Sequence, residues 1–256
     1  MKEYSLPSYL FVLYFLVLFM LSACSESGGE SAAEQNNTNY KVSLTSSTPQ
    51  LVGVESIGAY SIEKTDSYVQ FNKFATKGAG YEPGAMYVLY AYLRGGFPLL
   101  KSPPVLNDRW NGEDGFTYPG WRYSSTVSGL SETVSAGSQI FTNCLKITTT
   151  ITGDGVFNGT PVSQEQNAFV RGVRDIWFAP GVGVVKMQYK HENGFTTTAE
   201  LISSTLVNND SSDYFPLAIG NQWTYQWINE YRSSFVTDVY TVTSTCVGEC
   251  DIKPIN

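Results

Sequence analysis

From Tyr40 onward the apolar positions recur with a period of two in short stretches, and no long 3.6-residue stripe is present. Leu145, Ile147, Thr149 and Ile151 fall on one face of a strand, and Cys144, Lys146, Thr148 and Thr150 on the other. Met86–Leu93 (MYVLYAYL) is a continuous run of the buried-strand type. Trp121–Val127 alternates, and Val170–Phe178, Gly183–Tyr189, Thr196–Ile202, Trp223–Ile228 and Phe235–Ser244 continue the series. The breaks between them carry turn chemistry. Ser135-Ala136-Gly137-Ser138 and Glu192-Asn193-Gly194 read as hairpin turns, because glycine takes positive φ without steric cost. Ala179-Pro180-Gly181 places a residue that lacks an N–H where a ladder would need one. A parallel sheet would need crossover helices, and no segment qualifies. The pattern predicts an all-β fold, either an antiparallel sandwich or a strongly curved, partly closed sheet.

The amino terminus has a different pattern. Lys2 precedes an unbroken apolar run, Leu10–Met20, followed by Leu21-Ser22-Ala23-Cys24. A basic start, an apolar helix-forming run and small residues before a cut describe a secretory signal peptide over residues 1–23. The stretch Tyr9–Ala23 is shorter than the roughly 20 residues a membrane-spanning helix needs. Leu21–Cys24 resembles the lipobox of bacterial lipoproteins. That resemblance implies cleavage before Cys24, a diacylglycerol on its sulfur and an acylated amine. It also implies a membrane-anchored protein of the bacterial cell envelope, and Ser25 in place of Asp favours the outer membrane of a two-membrane cell. One acyl chain holds only marginally, whereas two or three hold essentially permanently. Ser25–Asn39 has no aromatic and no large aliphatic residue, so it cannot join a core. With Cys24 it reads as a flexible tether, residues 24–39, spanning about 20 Å.

Beyond the tether the expected organisation is a main β domain over residues 40–204. Residues 205–256 then form either a partial second unit or strands that complete the first. The reason is a weak internal repeat. Phe97-Pro98-Leu99 followed by Asn107-Asp108-Arg109-Trp110 is echoed by Phe215-Pro216-Leu217 followed by Asn221-Gln222-Trp223. The segments Tyr214–Tyr225 (YFPLAIGNQWTY), Ile176–Lys186 (IWFAPGVGVVK) and Ala136–Ile147 (AGSQIFTNCLKI) resemble repeated units of bacterial envelope lipoproteins of unknown function. The resemblance implies a β-rich fold and an envelope location, and it brings no activity. The second unit lacks its later strands, and the stretches between Tyr40 and Leu93 are the natural donors of partners for it.

Composition narrows the function classes. Charged residues are 15% of the 256 and aromatics 14%, with 17 Tyr, 14 Phe and 5 Trp, so the chain can bury enough surface to fold. Sixteen basic against 23 acidic residues give −7, which argues against nucleic acid as a partner. One His and four Cys leave little for a metal centre or a nucleophilic triad, and the chain has no P-loop, G-x-S-x-G or H-E-x-x-H. No cofactor is expected. With Cys24 acylated, Cys246 and Cys250 are the natural disulfide pair in an oxidising compartment, provided a tight turn at Gly248 brings them together. Cys144 reads as a small buried residue, and His191, beside a turn, as solvent-facing.

The densest polar-aromatic stretch is Asn107–Tyr123. There Trp110, Tyr118 and Trp121 offer flat faces, and Asn111, Glu113 and Asp114 offer hydrogen bonds, as a saccharide or peptide site requires. The same tryptophans would serve equally as core anchors. Glu113 and Asp114 lack the spacing of a calcium loop. The leading functional expectation is a lipid-anchored, non-catalytic module that binds or scaffolds, with a saccharide, a peptide or an envelope protein as partner. One alternative is a carrier of an apolar ligand inside a curved sheet, which needs a lined cavity of about 300 Å³ or more. The other is a hydrolase using Glu113 or Asp114.

Overall fold

The computed structural model describes residues 37–47, 56–76, 97–113, 120–157, 159–207, 210–229, 234–246 and 250. All of them belong to one compact unit, Asn36–Asn256. The segment expected to be a signal peptide, Cys24, most of the expected tether, the Met86–Leu93 run, Asp114 and Tyr118 lie outside them.

In chain order the strands are β1 (Thr38–Ser47), β2 (Ser56–Lys64), β3 (Tyr68–Thr76), β4 (Leu100–Lys101), β5 (Arg109–Glu113), β6 (Arg122–Ala136) and β7 (Gln139–Thr152). After a two-residue pair, β8 (Val156–Phe157) and β9 (Thr160–Pro161), comes a short helix, α1 (Gln164–Val170). β10 (Gly172–Ala179), β11 (Gly183–His191), β12 (Thr196–Thr205), β13 (Gln222–Asn229) and β14 (Ser234–Cys246) follow. Twelve strands form one antiparallel sheet in the order β4-β3-β2-β1-β14-β13-β12-β11-β10-β7-β6-β5. The fold is thus the curved-sheet alternative, not the sandwich. β13 and β14 stand in the middle of the sheet, with β1 completing the ladder beside β14.

The sheet's curvature follows from one side chain. Phe215, in the connection between β12 and β13, packs against Phe71 of β3 at 6.2 Å between ring centroids and Phe178 of β10 at 6.3 Å. β3 and β10 are seven strand positions apart, which a flat sheet would separate by about 33 Å. A single ring reaches both because the sheet wraps around it. The buried residues lie on this concave side, where Leu145, Ile147, Thr149 and Ile151 are all almost fully buried.

The two edges approach each other through the chain segment that joins them. Leu100 pairs with Val69 at one edge, while nearby Phe97 packs against Tyr123 of β6 at the other, with centroids 4.7 Å apart. Trp110 of β5 donates its indole N–H to the Pro98 carbonyl at 2.6 Å. Gly112 is required here for space, since a Cβ would lie 2.5 Å from the Phe97 side chain. This crossing covers strand edges that would otherwise offer unpaired backbone to another chain.

The internal repeat has a counterpart in the register. Trp110 faces Ser125 as Trp223 faces Tyr240. Val127 exchanges backbone hydrogen bonds with Asn107 and Asp108, and Val242 does so with Gly220 and Asn221. Asn107 and Gly220 both take positive φ, at 66° and 94°. Val127 faces Ile147, which faces Ile176; in the same way Val242 faces Val42, which faces Tyr60. The run β5-β6-β7-β10-β11 therefore recurs as β13-β14-β1-β2-β3. The second run is assembled from the last two strands of the described chain and its first three.

Other local details refine the sequence reading. The turns at Gly137, Gly181 and Gly194 have φ of 56°, 72° and 88°, as their hairpins require. Cys246 and Cys250 are disulfide-bonded with Cα atoms 5.3 Å apart. Strand β10 starts at Gly172 rather than Val170, because α1 occupies the preceding residues. Ser163 caps that helix, its hydroxyl accepting from Gln166 N–H at 3.2 Å. His191 is buried, a correction to the solvent-facing expectation: Nδ1 meets the Phe169 carbonyl and Nε2 lies 2.8 Å from Thr197 Oγ1. Phe169 and Tyr189 stack on either side of its ring. Cys144 is free and fully buried, and burial together with Glu132 pushes its thiol up to about 11. It is therefore a protonated thiol near neutral pH and no nucleophile.

Candidate functional site

Within the polar-aromatic stretch the described rings face inward. Trp110 and Trp121 are both buried. Trp121 donates its indole N–H at 2.9 Å to Asn167 Oδ1, which also accepts from Gly155 N–H at 2.9 Å. Gly155 allows this, since a Cβ there would lie 2.6 Å from the Trp121 ring. Asn111 and Glu113 are exposed on β5, and Glu113 accepts from Gly120 N–H at 3.2 Å. Asp114 and Tyr118 fall outside the described residues. Of the four described members of the expected site, two tryptophans are buried and Asn111 and Glu113 are exposed. Among the described residues no three His, Cys, Asp or Glu side chains cluster as metal ligands, and no helix is long and apolar enough to cross a membrane.

An apolar opening exists instead on the concave face. It is walled by Val42 of β1, Ile62 of β2, Phe71 of β3, Gly183 and Val184 of β11, Trp223 and Tyr225 of β13 and Tyr240 of β14. Phe215 and Leu217 fill its remaining side. The polar atoms of this wall are engaged elsewhere. Trp223 donates to the Val182 carbonyl at 2.6 Å, Tyr225 to the Val184 carbonyl at 2.7 Å and Tyr240 to Asp238 at 3.0 Å. Burial holds the Tyr225 phenol well above its ordinary pKa, so it stays neutral. What the wall offers an incoming molecule is carbon, which suits an alkyl chain and not a sugar.

The standing volume is small, about 30 Å³. That is about a tenth of the lower end of ligand pockets, so this opening is not the ready-made cavity expected of an apolar carrier. The space is occupied by the Phe215-Pro216-Leu217 segment. Lys64 holds this segment through an ion pair with Asp213 and a 2.8 Å bond to the Phe215 carbonyl. Gly181 N–H donates to the Asp213 carbonyl at 2.8 Å, and Asn221 Nδ2 to the Pro216 carbonyl at 2.9 Å. Both ends of the connection are thus tied by polar bonds, while its apolar side chains rest in the opening.

The wall residues come from both halves of the sheet, so no single sequence window carries the site. The one signal for it in the chain is the second Phe-Pro-Leu…Asn-x-Trp, which supplies Phe215, Leu217 and Trp223.

No protein-family model matches the chain, and no curated protein matches it. Among solved structures it is similar to a LolA-superfamily protein from Nitrosomonas europaea at 9% identity and a TM-score of 0.32, over 85% of this chain and 88% of that one. It is also similar to a putative outer membrane lipoprotein-sorting protein domain from Vibrio parahaemolyticus at 8% identity and a TM-score of 0.34, over 84% and 87% of the two chains. Likeness at this level carries no property of either protein to this chain.

Proposed function

We propose that this chain is a lipid-anchored, non-catalytic binding module of the bacterial cell envelope that takes an apolar chain on the concave face of its sheet. The observation that carries the binding half is the apolar opening shared by β1, β2, β3, β11, β13 and β14, whose polar atoms are already bonded within the protein. Its small standing volume sets the mode of entry. A ligand must displace Phe215 and Leu217, exchanging one apolar contact for another, so the net cost is mainly that of the polar ties at Lys64, Gly181 and Asn221. The anchoring half rests on Leu21–Cys24 behind the apolar run.

Two measurements test the two halves separately. Cells expressing the full chain and fed labelled palmitate should yield a labelled protein, and Cys24→Ala should abolish the label. Label that persists in the alanine variant would refute the anchor. Titrating the purified protein with lauryl alcohol in a calorimeter should give saturable one-to-one binding with a negative heat-capacity change, the mark of apolar burial. Val184→Phe, which adds a ring to the opening, should weaken that binding by about tenfold or more. Heat that never saturates, or a Val184→Phe variant that binds as the wild type does, would sink the ligand half.

A further inference from the structure

The buried side of β10 carries a guanidinium that no described carboxylate pairs with. On β10, Arg174, Ile176 and Phe178 alternate onto the buried side, and Arg174 is only 1% exposed. Among the described residues its hydrogen bond runs from Nη2 to Thr149 Oγ1, at a long 3.4 Å. Its Nε has no acceptor. No described carboxylate pairs with it, in a chain with 23 acidic residues. The contrast is Arg171, three residues earlier and itself only partly exposed, whose Nε is likewise without an acceptor but whose fork holds both Asp154 and Glu192. A guanidinium taken out of water without an anion is strongly disfavoured, and buried charges are ordinarily paired.

The surroundings of Arg174 are built for an oxyanion. Thr149 Oγ1 lies 2.9 Å from Ser125 Oγ, so two hydroxyls stand side by side on β6 and β7 next to the guanidinium. Both are buried, and either can turn its proton toward a negative oxygen. Tyr123 and Tyr189 are buried beside it. Along β10, Arg174 is four residues from Phe178, the ring on which Phe215 seats. That is about 13 Å of strand between the ring that seats Phe215 and the charge.

We propose that Arg174, with Ser125 and Thr149, is the head-group subsite of the apolar binding face and accepts the carboxylate or phosphate of an anionic amphiphile. The tail would lie along β10 toward the space now held by Phe215. This rests on the reading of the concave face as an apolar binding site and adds the polar end of the ligand to it. Arginine suits the task because its planar fork donates two parallel bonds to a carboxylate or phosphate.

The test compares lauric acid, dodecyl phosphate and lauryl alcohol on the wild type, Arg174→Met, Arg174→Gln and Arg174→Lys. Far-UV circular dichroism verifies that each variant is folded. The wild type should bind at least one anionic amphiphile about tenfold or more tighter than the alcohol, as charge-assisted bonds in a buried site require. The tighter of the two acids identifies the head group. In Arg174→Met and Arg174→Gln the preference should vanish while alcohol binding is retained, and Arg174→Lys should keep part of it. If the variants keep the wild-type preference, the anion is read elsewhere and the proposal fails. Alcohol binding without any anionic preference in the wild type overturns the subsite and leaves the apolar reading intact. No binding of any of the three removes both.

Discussion

Phe215→Ala is expected to lower the unfolding free energy by about 3–5 kcal/mol, the range for deleting a buried phenylalanine ring. The value should fall at the upper end, because the ring's neighbours belong to both halves of the sheet. Phe71 and Phe178 are held by different strands of a wrapped sheet and cannot both collapse into the space. The part of the cost that depends on residual cavity volume will therefore remain. Phe215→Leu retains most of the filling volume and should lose markedly less. Ile140→Ala, at a position 71% exposed on β7, should change stability by less than about 0.5 kcal/mol. Urea unfolding measures all three. A loss below about 1 kcal/mol for Phe215→Ala would mean that the β12–β13 connection is not part of the core, and the account of the wrapped sheet would fail with it. The same variant should bind lauryl alcohol more tightly than the wild type, since the space is vacated before the ligand arrives.

The strands and turns are legible in the sequence because they are local. The alternation Leu145, Ile147, Thr149, Ile151 names a buried face, and Gly137, Gly181 and Gly194 mark turns that occur where they stand. The cysteine spacing likewise points to Cys246 and Cys250, which a short turn brings within bonding distance. What is not legible is pairing at long range. Nothing in Tyr40–Ser47 states that its partner is Thr237–Thr245, because the ladder depends on backbone groups common to every residue. The second Phe-Pro-Leu, with its Asn and Trp, marks β13 as the start of a run, but which strands continue that run past β14 is set by long-range pairing with β1.

Burial in polar stretches is the other gap. Trp110 and Trp121 sit among charged residues, and only the distant Pro98 carbonyl and the Asn167 amide turn their rings inward. His191 lies next to a turn, yet α1, a helix too short to leave an apolar stripe, closes over it with Phe169. Arg174 reads locally as a surface residue beside Asp175. It is buried because the strand's phase is set by Ile176 and Phe178, whose burial outweighs the cost of one charge.

That cost makes Arg174→Met a stabilising substitution in the unliganded protein. Burial disfavours the charged guanidinium, with only the hydroxyls of Tyr189 and Tyr123 acting in the other direction. Methionine approximates the length of the aliphatic stem and removes the charge together with the unbonded Nε. Replacing buried ionic groups by apolar residues of similar shape commonly gains about 1–4 kcal/mol, and here no carboxylate would be left unpaired. In a chain of this size that corresponds to a rise in Tm of about 2–10 °C. Arg171→Met is the control: it strands Asp154 and Glu192 and should leave Tm unchanged or lower it. The sign should reverse with ligand. An anionic amphiphile added at saturation raises Tm of the wild type by mass action and leaves Arg174→Met behind. Thermal denaturation of the two proteins with and without lauric acid gives all four values. A fall in Tm of unliganded Arg174→Met would show that the guanidinium braces the fold through Thr149 and its tyrosine neighbours, and a residue that braces the empty protein is not one held open for an anion.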